Sequence, residues 1–152
     1  MALKKILVIG AGGREHAIAG RLATSDSHPT VYVAPGNDGI RADEAIRGGC
    51  VDLEVMDLEG LARFAKSEGI DVTIVGPEAP LVAGIVDHFH AKDLVILGPA
   101  QDAARLAASK SFAKDVMQEA GVHTAAWHVF DALEPALAHV RKSRHPLVIK
   151  AD

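Results

Sequence analysis

With a single cysteine, Cys50, among 152 residues, the chain has no internal disulfide framework, and its sulfur chemistry fits a reducing compartment. Next to Val51, that cysteine reads as a small buried hydrophobe rather than a nucleophile. No basic stripe is present: 16 lysines and arginines stand against 20 acids, a net charge of −4, which argues against a nucleic-acid surface. The apolar run after Lys4-Lys5 is too short to span a bilayer, and the glycines that follow suit a first strand better than a signal peptide. Zinc-ligand spacing is missing. His88 and His90, two apart on a predicted helix, face different directions and cannot share a metal. His28, His123, His128, His139 and His145 form no cluster. Repeats, low-complexity tracts and a nucleophile–base pair are likewise missing. The expectation is a soluble cytoplasmic protein whose partners are small molecules, with no nucleic acid and no membrane.

What the chain does have is 49% apolar residues in short runs that alternate with helical spacing. Strands are predicted over 5–9, 30–34, 50–53, 71–75 and 94–97, and helices over 14–23, 58–67 and 81–91. Leu61, Phe64 and Ala65 show the helical period, Asp57 is a plausible N-cap and Gly69 a stop. Parallel strands need crossovers of this length, and right-handed connections then give a Rossmann-like, doubly wound parallel sheet of the α/β class. The pattern changes at Gly98-Pro99. Two helices are predicted over 100–108 and 110–120, then a strand over 125–130, a helix over 134–142 and a strand over 147–150. The expected organisation is a first domain over 1–100, a helical connection over 101–120, and the incomplete start of a second domain over 121–152. A strand–helix–strand of that size buries little core by itself.

The densest signal is Gly10-Ala11-Gly12-Gly13-Arg14-Glu15-His16, set between a strand of β-formers and an alanine-rich helix. Backbone amides and the positive end of the helix dipole meet at such a turn, which suits an anion, most often phosphate. Gly10 lets the chain turn, and Gly12 and Gly13 let a ligand approach without meeting a Cβ. Arg14 adds a permanent, planar cation. A helix N-terminus gives an anion roughly 0.3–2 kcal/mol, and each charge-assisted hydrogen bond about 1.5–3 kcal/mol. The sum reaches roughly micromolar to millimolar affinity for a sugar phosphate. The dinucleotide fingerprint would need glycine where Glu15 stands, and an acid ending the second strand where Pro35-Gly36-Asn37 stands. His16, in the first helical turn, reads as a neutral packed or hydrogen-bonding histidine.

Two further loops fall at the same edge of the predicted sheet. Ala34-Pro35-Gly36-Asn37-Asp38-Gly39 offers amides and the Asn37 side chain to a sugar or phosphate. Gly76-Pro77-Glu78-Ala79-Pro80-Leu81 holds Glu78 on a stiff turn, a carboxylate for a hydroxyl or amine. Taken singly, each reads first as turn chemistry alone; the convergence of all three loops on one edge is what points to a pocket. Lys110 lies at the break between two helices. Lys150 closes the apolar run Leu147-Val148-Ile149, as either a phosphate ligand or a solvated strand end.

In order along the chain, Val8 to Ala17, the Ala34–Asn37 turn, Val75 to Leu81, Phe112-Ala113-Lys114 and Ile149 to Asp152 resemble the phosphoribosylamine–glycine ligase (glycinamide ribonucleotide synthetase) family. The glycine motif and the Gly-Pro-Glu-Ala-Pro-Leu turn are the specific parts; the lysine segments alone are weak. These are ATP-grasp ligases of purine biosynthesis, which join 5-phosphoribosylamine and glycine with ATP and Mg2+ or Mn2+ through glycyl phosphate. The resemblance implies that residues 1–100 form the domain preceding ATP-grasp. On the same basis Gly12, Gly13 and Arg14 would hold the ribose phosphate with Asn37 nearby, and Glu78 would face the ribosyl or amine end. Lys110 and Lys150 match positions where such enzymes place cations on ATP phosphates. The family's ATP-covering loop, metal carboxylates and glycine site are expected beyond residue 152. This stretch is therefore expected to be inactive alone and to hold no cofactor tightly, with no catalytic and no metal-binding residue of its own. Alternatives are a stand-alone ribose-phosphate-binding module and an NAD-type oxidoreductase domain.

Overall fold

A computed structural model describes residues 4–151. The chain divides into two compact units, 1–104 and 105–152. The first is built on a five-stranded sheet in which every paired strand runs parallel. Its strands are β1 (Lys5–Gly10), β2 (Thr30–Pro35), β3 (Gly49–Cys50), β4 (Val72–Val75) and β5 (Ile96–Leu97), in the order β3-β2-β1-β4-β5. Helices α1 (Gly13–Ala23), α2 (Asp38–Arg41), α3 (Leu58–Glu68), α4 (Glu78–Val82) and α5 (Ile85–His90) fill the crossovers. This is the doubly wound α/β sheet expected from the alternation of strands and helices.

Strand β1 is central because it is apolar on both faces. Ile6 and Val8 join Ala19, Ala23, Val31, Val33, Ile40 and Ile46 in one core. Leu7 and Ile9 join Leu61, Ala62, Ala65, Ile85, Val86 and Phe89 in the other. The period of two assigns alternate residues to opposite faces, and each fully buried Val, Leu, Ile or Phe contributes roughly 1.5–3 kcal/mol. Helix α3 starts and stops where expected. Asp57 Oδ1 accepts the Gly60 amide at 2.8 Å, and Gly69 ends the helix in the left-handed region at φ +64°, where glycine carries no steric penalty.

Several expectations are corrected. Helix 81–91 is two helices, broken at Gly84 with φ +86°. The first begins earlier, at Glu78, because Pro80 sits in an opening turn whose amides have no helical partner anyway. Strands 50–53 and 94–97 shrink to two residues each at the sheet edges, where only one neighbour supplies hydrogen bonds. The short helix α2 was not foreseen; Asn37 caps it by accepting the Ile40 amide.

The second unit contains α7 (Lys110–Glu119) and α8 (Leu133–Lys142), and the unit boundary falls within α6 (Gln101–Ala108). The predicted strands 125–130 and 147–150 do not form among the described residues. A strand needs a ladder partner for its amides and carbonyls, and none is paired there; Val148 and Ile149 are 85% and 78% exposed. No helix of the described residues is long and apolar enough to cross a membrane.

Candidate functional site

In a sheet of this order the topological switch lies between β1 and β4, whose connections leave to opposite sides and open a crevice at the carboxyl ends of the strands. Two of the three loops singled out above meet there, and the third is tied to them. The turn after β1 and the turn after β4 are laced to the sheet through Gly76 N–H, which donates to Ile9 C=O at 2.9 Å. The turn after β2 joins through Gly36 N–H to Gly10 C=O at 3.2 Å and through Asn37 Nδ2 to Ala11 C=O at 2.7 Å.

The centre of the crevice is a residue that the sequence reading noted only as a departure from the dinucleotide pattern. Glu15 is 4% exposed. Its Oε2 accepts the Gly12 amide at 2.8 Å and its Oε1 accepts Arg14 Nε–H at 2.9 Å. A Cβ on either Gly10 or Gly76 would collide with its side chain, so both glycines are required by a carboxylate wedged between two strand ends. Burial pushes the Glu15 carboxyl up; the Arg14 hydrogen bond, the Gly12 amide and the Arg14 charge together outweigh burial and hold it below its ordinary value. The signal was legible in the sequence: Glu15 stands three residues after Gly12, the spacing at which a capping-box glutamate reaches back to the N-cap amide.

Arg14 is anchored at two points. Nε donates to Glu15 and Nη2 donates to the Gly76 carbonyl; the outer nitrogen, Nη1, has no partner among the described residues. The hydrogen bond and charge of Glu15 raise the guanidinium's pKa, and the nearby charge of Glu78 adds to this. Arg14 and Glu78, 64 positions apart in the sequence, thus lie near enough for their charges to interact, each just beyond one of the paired strands β1 and β4. Glu78 is exposed at the first position of α4.

The glycines need one correction. Gly12 does not leave its amide open to an anion, because Glu15 already takes it. At Gly13, nothing lies within 4 Å of where a Cβ would stand. Asn37 is a tie between loops, with Oδ1 on the Ile40 amide and Nδ2 on the Ala11 carbonyl. Beside it a cleft of about 560 Å³ is lined by Pro35, Gly36, Asn37, Asp38, Arg41, Cys50 and Asp52. Cys50 is therefore half-buried at a cleft wall rather than sealed in the core. Its thiol faces the Asn37 carbonyl at 3.6 Å. His16 is hydrogen-bonded as expected, with Nε2 3.0 Å from Asp43 Oδ2. That bond, helped by the Ala45 amide, holds the Asp43 carboxyl below its usual range.

Lys110 and Lys150 belong to the second unit. Lys110 opens α7 after the Ser109 cap, whose Oγ accepts the Phe112 amide at 3.1 Å, and Lys150 is exposed outside any helix or strand. Among the described residues no three His, Cys, Asp or Glu side chains come together as a metal site.

Residues 4–107 match the family described as Phosphoribosylglycinamide synthetase, N domain, and residues 108–152 match its ATP-grasp (A) domain. The chain is 47% identical over 148 residues to a phosphoribosylamine–glycine ligase of Vibrio cholerae, and 50% identical to those of Salmonella typhi and Escherichia coli K12. In each case the match covers 97% of this chain and 34% of the relative. The chain thus spans about a third of the length of the curated relatives it matches. Among solved structures, the biotin carboxylase domain of the Hydrogenobacter thermophilus 2-oxoglutarate carboxylase is similar at a TM-score of 0.66 and 17% identity, over 96% of this chain and 34% of that one. A further biotin carboxylase domain, of a thermophilic 2-oxoglutarate carboxylase, gives 0.64 and 18% over 99% and 36%. At such identities these two establish the fold alone. The glycine turn, the Gly76–Glu78 turn and the extent of the match place this chain in the phosphoribosylglycinamide synthetase family, of which it carries the N domain and the opening of the ATP-grasp domain.

Proposed function

We propose that the first unit holds the ribose-phosphate side of the ligase reaction, in which 5-phosphoribosylamine and glycine are joined as ATP becomes ADP and phosphate. The observation that carries this reading is the convergence of a fixed guanidinium, Arg14, and an exposed carboxylate, Glu78, at the switch point of the sheet. A ligand with a phosphate at one end and an amine at the other complements that pair. The phosphate takes the outer edge of Arg14 and the open space over Gly13 at the N-terminus of α1. The amine end takes Glu78. Asn37 contributes by holding the β2 turn against the glycine turn. The domain split of 1–100, 101–120 and 121–152, and a cytoplasmic location, belong to the same proposal.

ATP belongs to the proposal through Lys110 and Lys150, whose side chains carry the charge a triphosphate needs. When bound, ATP supplies the phosphoryl group that activates the glycine carboxylate. A divalent cation does not fit the described residues in the same way, since they bring no set of ligands together.

Calorimetric titration of the chain with glycinamide ribonucleotide, repeated with Arg14→Ala, tests the reading. A loss of tenfold or more on substitution supports the phosphate on Arg14. No heat at millimolar ligand, or equal affinity in both proteins, sinks the assignment.

A further inference from the structure

The feature left without a role is the burial of a charge. Glu15 has 6% side-chain exposure, against 62% for the Arg14 it pairs with, and a lone buried carboxylate is among the costliest groups to keep in a protein. Its two oxygens do different things. One closes off the Gly12 amide, the innermost donor of the glycine turn. The other takes Arg14 Nε, while the Gly76 carbonyl takes Nη2. With Nε–H and one Nη2–H anchored inward, the guanidinium plane is set, and the second Nη2–H and both Nη1–H groups are left to face a ligand. A guanidinium fixed beforehand loses less freedom on binding than one tethered at Cβ alone.

We infer that Glu15 is a positioning residue, which stands as an internal anion on the glycine turn and aims Arg14 at the phosphate of the ligand. The inference rests on the ribose-phosphate reading above and adds a specificity to it. Because the Gly12 amide is occupied from inside, the turn has no inner seat for a second phosphate. A single terminal phosphate sits further out, on Arg14 and over Gly13. Where a dinucleotide site has a third glycine that packs the helix closely against the strand, this chain has the carboxylate instead.

Glu15→Gln separates the two tasks. A glutamine carbonyl oxygen still accepts the Gly12 amide, but its NH2 group cannot accept Arg14 Nε–H. The test is a double-substitution cycle by calorimetry, with ribose 5-phosphate titrated into the 152-residue chain and its Glu15→Gln, Arg14→Ala and doubly substituted forms. Each single change is expected to weaken binding about tenfold, and the double change no further than Arg14→Ala alone, because Glu15 acts through Arg14. Losses that multiply to about a hundredfold overturn the inference.

A second readout is independent of ligand. The Arg14 Nε–Hε resonance is expected to be ordered and slow to exchange in the parent chain, and to become mobile in Glu15→Gln while the backbone amide spectrum stays dispersed. An Arg14 signal unchanged by that substitution overturns the inference too. If the parent chain does not bind ribose 5-phosphate, the ribose-phosphate reading fails by itself, and the Arg14 resonance still decides whether Glu15 orients the guanidinium.

Discussion

Gly76→Ala and Gly13→Ala change one hydrogen to one methyl at the same site, and the structure predicts opposite results. Neither glycine has a left-handed φ, so backbone strain is not the difference. A Cβ on Gly76 would stand 2.5 Å from both Cγ and Cδ of Glu15, and carbon atoms in ordinary contact keep about 3.5–4.0 Å. The Glu15 side chain must therefore move, and it is not free to do so. Swinging it away breaks the charge-assisted bond from the Gly12 amide, worth about 1.5–3 kcal/mol. The pairing with the exposed Arg14 adds little. Pushing the strand ends apart instead is overpacking, at about 1–3 kcal/mol. Either route costs about 2 kcal/mol. A Cβ on Gly13 meets nothing within 4 Å, and alanine in the first helical turn stabilises by about 0.4–1 kcal/mol. Urea unfolding followed by circular dichroism reads both. With a slope of about 2 kcal/mol per molar, Gly76→Ala lowers the midpoint by about 1 M and Gly13→Ala raises it slightly. In a Glu15→Ala background Gly76→Ala should cost little further, since the clash leaves with the side chain. A Gly76→Ala midpoint within 0.2 M of the parent (about 0.4 kcal/mol) would falsify the wedge.

Three other perturbations follow from the same packing. Thr73 is 1% exposed and its hydroxyl has no hydrogen-bond partner among the described residues. Thr73→Val should therefore raise stability by about 1 kcal/mol, and a lower urea midpoint would refute this. Asn37→Ala removes a helix cap and the tie to Ala11, so it should cost about 1–2 kcal/mol and loosen the β2 turn, seen as faster amide exchange at Ile40. Glu15, Asp43 and Asp71 all have folded pKa values below their ordinary ones; Asp71 does so because the Lys5 and Lys4 amides bond to it. The stability they contribute is complete above the ordinary carboxylate range near pH 4 and is lost as the pH falls through the lower folded values. The urea midpoint should fall steeply below pH 4, and less steeply in Glu15→Gln; equal slopes in the two proteins count against an ionised Glu15.

The alternation of short apolar runs with helical spacing was enough to read a parallel sheet, because the period of two and the period of 3.6 are local properties of the chain. The Asp57 cap and the Gly69 stop were legible for the same reason: each is settled within one turn of helix. So was the glycine turn after β1, whose residues are contiguous. The edges of the sheet were not. The runs over 50–53 and 94–97 look like strands by composition, but how far a strand extends depends on how much neighbour it has. The run Leu147–Ile149 has the residues of a buried strand and is exposed, since propensity supplies no hydrogen-bond partner.

For the site, the sequence alone determined which residue types stand where: a run of glycines after the first strand, an arginine beside them, and a glutamate on a proline-stiffened turn. Tertiary structure decided which donors remain available. Glu15 is polar by type and buried by position, because β1 and β4, more than sixty residues apart in the chain, pair side by side and close over it. Only then does the Gly12 amide become occupied, Arg14 gain the Gly76 carbonyl as a second anchor, and Gly10 and Gly76 become obligatory. Burial and hydrogen-bond partnership are properties of the space between elements, and no local pattern encodes which distant strand will fill it.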